Sequence, residues 1–127
     1  MKTILVDAVG TLIDEKVNIF QEMYELLETY PNKKIILTCV DDEQIKELNF
    51  DKLPYEYYTT KHNPNKTDPT YYTQMLGHFN FTPNDVIYFE HGAEAVKNAQ
   101  LAGINTYFYD EEKKDLISLK QFIDNNL

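Results

Sequence analysis

Three short apolar runs in this 127-residue chain each end in a side chain that could do chemistry: ILV before Asp7, IIL before Thr38 and VIYF before Glu90. A carboxylate can attack an electrophilic centre or hold a hard cation, and a hydroxyl can donate to an anion. Ligands of open parallel sheets bind outside the carboxyl ends of the strands, close to where the strand order reverses. If the first strand is central, all three groups meet at that crevice. Any one of them could simply mark the end of a strand; the three together point to a site.

The elements that must position them follow from periodicity. Strand-length apolar runs alternate with helical patterns, the signature of βαβ units. Strands are predicted at Thr3–Val6, Lys34–Leu37, Tyr55–Thr60, Val86–Phe89 and Ile104–Tyr109. Helices are predicted at Asn18–Tyr30, from a cap at Asp41 or Asp42 to about Asn49, from Asp68 and Pro69 to His78, and over Ala93–Ala102 before Gly103. A last helix carries the stripe Leu116, Leu119, Phe122 and Ile123. Right-handed crossovers then give an α/β fold, a three-layer α/β/α Rossmann-like sandwich with a five-stranded parallel sheet in the order 3-2-1-4-5. Ala95, Ala99 and Ala102 would let the fourth helix approach the sheet closely.

Composition excludes several partners. The length suits one domain, residues 1–127. With 21 acidic and 12 basic residues the net charge is -9, without the basic stripe that nucleic acid requires. A phosphate site in such a chain needs a cation or a local cluster of Lys and N–H groups. No apolar run suits a membrane span or signal peptide, and the single cysteine makes no internal disulfide, so a cytoplasmic setting is the simplest. The tyrosines of PYEYYTT and TYYTQ are expected on sheet edges and helix faces, where a homodimer could also form.

The stretch DAVGTL, Asp7 to Leu12, resembles the first motif of the haloacid dehalogenase-like (HAD) superfamily, D-x-D-G-T-L, with Asp14 following as in many members. IILT, Ile35 to Thr38, is similar to its second motif, and KTDP at Lys66 to its third, with Lys61 as a substitute. FEHGAEAVKNAQLAGI resembles the fourth, with Glu90 and Glu94 in the acidic positions. The resemblance spans nearly the whole chain. In the family's phosphatases the first Asp attacks phosphorus and forms an aspartyl-phosphate. Carried over, this implies Asp7, Thr38 and Lys66 as catalytic residues, and Thr11, Thr38 and Lys66 on the phosphate. It also implies Mg²⁺ on Asp7, the Val9 carbonyl, Glu90 and Glu94. The substrate would be a phosphorylated small molecule or macromolecule. With room for only one helix between Asp14 and Lys33, no cap domain is expected.

Val9 departs from the motif. The Asp at this position protonates the leaving group and activates water, and its loss costs on the order of 10²–10⁴-fold. At most weak phosphatase activity is therefore expected, with an inactive phospho-ligand or protein-interaction module as the alternative. Glu90 and Glu94 are each one methylene longer than Asp. Cys39 is read as a half-buried residue, and His62, His78 and His91 lack metal-ligand spacing. His91 could reach the crevice as a substitute acid but is read as a solvated loop residue. The run Asp110 to Asp115 is read as a solvated helix start.

Overall fold

The computed structural model describes Met1–Leu127. Its strands are β1 (Thr3–Asp7), β2 (Lys34–Thr38), β3 (Glu56–Thr59), β4 (Val86–Glu90) and β5 (Asn105–Phe108). All are parallel, in the order β3-β2-β1-β4-β5. The helices are α1 (Gln21–Glu28), α2 (Asp42–Glu47), α3 (Thr70–Phe79), α4 (Ala93–Leu101) and α5 (Leu116–Asn126). The architecture and strand order are those expected from the sequence.

Side chains of the central strands alternate between two cores, because successive strand residues face opposite sides. Ile4 and Val6 of β1, Ile36 of β2 and Ile87 and Phe89 of β4 meet Met23 and Leu27 of α1 and Leu119 and Ile123 of α5. Leu5, Ile35, Leu37, Val86 and Tyr88 face the other way, onto Tyr71, Tyr72 and Met75 of α3 and Ala99 of α4. Burying one such large apolar side chain stabilises by roughly 1.5–3 kcal/mol. The buried Ala95 and Ala99 form the small face expected of α4, which stops at Gly103 with φ +86°.

Several expectations need correction. The helix expected from Asn18 starts at Gln21, because residues 13–19 form a hairpin: Ile13 pairs antiparallel with Ile19, and Val17 has φ +63°. Asp14 organises it, its Oδ1 accepting from the N–H groups of Lys16 and Asn18. Of the two expected caps of α2, Asp41 is the one used, in a reciprocal box with Gln44. The run from Asp110 forms a turn, and Asp115 caps α5 by accepting from the Ser118 N–H. Tyr71 and Tyr72, expected on a helix face, are fully buried in the core beneath it. No helix is long and apolar enough to cross a membrane.

Candidate active site

Asp7 ends β1 and Glu90 ends β4, its neighbour in the sheet, so pairing of the two strands brings their carboxylates together. Lys66 enters from the loop before α3, its backbone carbonyl accepting from Asn98 Nδ2 at 3.1 Å. Its Nζ lies 2.6 Å from Asp7 Oδ1 and 2.9 Å from Glu90 Oε1. Opposite, His91 Nδ1 lies 2.5 Å from Asp7 Oδ2 and 3.3 Å from Glu90 Oε2. The Thr11 hydroxyl donates to Asp7 Oδ2 at 2.8 Å, the Tyr88 hydroxyl to Glu90 Oε1 at 2.5 Å, and the Gly92 N–H to Glu90 Oε2 at 2.8 Å. Every oxygen of both carboxylates therefore accepts a hydrogen bond from the chain.

Electrostatics lock this arrangement. Burial alone would push the Glu90 carboxyl up, but the Lys66 ammonium and the His91 hydrogen bond hold it far below the usual range. Burial would likewise lower the Lys66 ammonium, and Asp7 and Glu90 keep it well above its ordinary value. Hydrogen bonds to Asp7 and Glu90 raise the His91 imidazole to about 10, against the effect of burial.

A pocket of about 230 Å³ opens over this cluster, lined by Asp7, Ala8, Val9, Thr38, Cys39, Val40, His62 and Lys66. Thr38 sits on its wall at the end of β2, and the Tyr71 hydroxyl donates to its carbonyl at 2.7 Å. Burial pushes the Cys39 thiol up, which suits a packing role. Beyond Val9 lies a larger cleft of about 520 Å³, between the 13–19 hairpin and the turn before α5. Tyr109 lines it with a buried hydroxyl that has no partner.

The structure thus brings together Asp7, Thr11, Lys66 and Glu90, with Thr38 and Val9 on the pocket wall. Lys61 is excluded as a substitute, since it pairs with Asp42 at 3.0 Å on the surface. Glu94 is exposed in the first turn of α4, outside the group of possible metal ligands. His91, read as solvated, belongs to the cluster. Its one sequence signal is its position directly after a strand-ending acid. The tyrosines beneath the pocket carried no such signal.

The metal expectation can be tested on the donor set. Magnesium wants an octahedron of about six oxygens. The ligand atoms gathered here, within 4.8 Å of one another, belong to Asp7, Glu90 and His91: two carboxylates and an imidazole. With every carboxylate oxygen already accepting from the chain, the His91 imidazole between the two acids and Glu94 exposed outside the group, the residues as folded do not fit Mg²⁺.

Solved structures share this architecture. An uncharacterized protein from Corynebacterium glutamicum aligns with TM-score 0.68 at 12% identity, over 98% of this chain and 96% of that one. A HAD-family enzyme from Bacteroides thetaiotaomicron aligns with TM-score 0.71 at 14% identity, over 87% of this chain and 95% of that one. The core domain of a putative phosphoglycolate phosphatase from Streptococcus pneumoniae aligns with TM-score 0.63 at 16% identity, over 97% and 95%. The chain has the HAD-like fold. No protein-family model and no curated protein matches it. The Bacteroides structure, an Asp-to-Ala mutant, is a complex with magnesium and inorganic phosphate. What this chain shares with it is the fold.

Proposed function

We propose that this HAD-fold protein binds the phosphate of a phosphorylated ligand over Asp7 and has, at most, weak phosphomonoester hydrolase activity. The observation that carries this reading is Lys66, whose ammonium is held at the pocket floor by two buried carboxylates. Three N–H donors are available on Nζ and two are engaged, which leaves one for a phosphate oxygen beside Thr38. In turnover, an Asp7 oxygen would form a bond to phosphorus as the ester P–O bond breaks, and the departing oxygen would take a proton from solvent. Water would then cleave the aspartyl-phosphate. Val9 assists neither proton transfer, which is the reason to expect slow turnover.

A second reading, a phospho-ligand binding module without catalysis, is favoured by one observation: both Asp7 oxygens already accept hydrogen bonds, which lowers their nucleophilicity. One helix lies between β1 and β2, and an uncapped pocket of this kind would suit a macromolecular ligand. Turnover of an aryl phosphate, compared with that of Asp7→Asn, tests the first reading, and stabilisation by inorganic phosphate tests both. Phosphate stabilisation without Asp7-dependent turnover selects the binding module; absence of both rejects the phosphate pocket.

A further inference from the structure

We propose that the His91 side chain occupies the seat of the divalent cation, so that this pocket takes its anion without a metal. This rests on the reading of the pocket as a phosphate site. The imidazole Nδ1 sits between Asp7 Oδ2 at 2.5 Å and Glu90 Oε2 at 3.3 Å, while Lys66 Nζ sits between the other two oxygens of the same carboxylates. Two nitrogen groups therefore bridge the pair from opposite sides. A carboxylate oxygen facing it can only accept, so Nδ1 carries a hydrogen and has no lone pair to offer a metal. His91 is a donor in this geometry, not a ligand.

The ring is held there by backbone as well as by hydrogen bonds. A Cβ added at Gly10 would come within 2.6 Å of His91 Cε1, so the imidazole lies directly against the turn after β1. Glu90 is fixed by the Gly92 N–H and by the Tyr88 hydroxyl from beneath. A cation entering the site would have to dislodge a packed ring from two buried carboxylates. The local balance agrees: two acids face two basic side chains, where a metal would add two more positive charges.

The test uses the full chain with three probes: Mn²⁺ followed by electron paramagnetic resonance, Mg²⁺ followed by calorimetry, and inorganic phosphate followed by thermal shift. The wild type is expected to leave millimolar Mn²⁺ free and to give no Mg²⁺ binding heat. Phosphate is expected to raise its Tm equally in EDTA and in Mg²⁺. His91→Asp, which supplies a third carboxylate, is expected to bind Mn²⁺ at least about ten-fold more tightly than wild type. Circular dichroism checks its fold, and His91→Ala replaces it if it does not fold, again with tighter Mn²⁺ binding expected. The proposal is overturned by tight Mn²⁺ binding to the wild type, by a phosphate shift that needs metal, or by a folded His91 variant that binds no more Mn²⁺ than the wild type. A missing phosphate shift under both conditions would instead reject the anion pocket, leaving the Mn²⁺ titrations to judge the role of His91.

Discussion

Lys66 Nζ bridges Asp7 Oδ1 and Glu90 Oε1, at 2.6 and 2.9 Å, and so ties the ends of two neighbouring strands together through a residue far from both in sequence. All three side chains are largely buried. Removing the ammonium leaves two acids facing each other away from water. Lys66→Ala is therefore expected to cost about 3–5 kcal/mol in urea unfolding, as for a broken buried ion pair. A loss below about 1 kcal/mol, the value of a surface pair, would mean that the bridge is solvated.

Gly10 has φ +91°, and its missing Cβ leaves space for His91 and for Glu111 Oε2. Gly10→Ala combines left-handed strain with collision against the imidazole. A loss of about 1–3 kcal/mol is expected from the backbone alone. Thermal melts of this variant beside Gly10→Ala/His91→Ala separate the two contributions: the double variant should recover whatever part the ring imposes.

Stability should fall on the alkaline side. The His91 imidazole is raised from 6.5 to about 10 by its hydrogen bonds to Asp7 and Glu90. Its contribution is therefore complete below the unfolded value of 6.5 and is lost as pH rises through about 10. The wild-type Tm is expected to decline across that window, with a shallower decline in His91→Ala. Parallel alkaline limbs for the two proteins would exclude His91 as the source.

Val9→Asp restores the side chain that the first motif lacks, yet Asp7 would remain held on both oxygens. Alone, it is expected to raise aryl phosphate turnover by less than about ten-fold, and with His91→Asp in Mg²⁺ by on the order of 10²-fold. A 10²-fold gain from Val9→Asp alone would show that Asp7 frees itself without help.

The sheet could be read from the sequence because β1, β2 and β4 are buried on both faces and appear as unbroken apolar runs ending in Asp7, Thr38 and Glu90. Lys66 was legible only through its KTDP context, since nothing local to a loop lysine reports two carboxylates contributed by distant strands. His91 was misread for a related reason: a histidine after a strand looks the same whether it faces solvent or Asp7, and the contact with Gly10 that decides between them is long-range. The hairpin at residues 13–19 was hidden because Ile19 and Phe20 fit a helical stripe equally well, while Asp14 and the left-handed Val17 end that pattern through backbone geometry. Tyr71 and Tyr72 were placed on a helix face from sequence, and only the packing of α3 against β2 and β4 makes them core residues.

Beneath the pocket, Tyr71 holds the carbonyl of Thr38 from α3, and Tyr88 joins Tyr72 to Glu90. The same phenol rings fill the centre of one core. Substitutions that spoil the pocket floor would thus also loosen the interior, and a cell that discards poorly folded chains would remove them whether or not the pocket ever turned over a substrate.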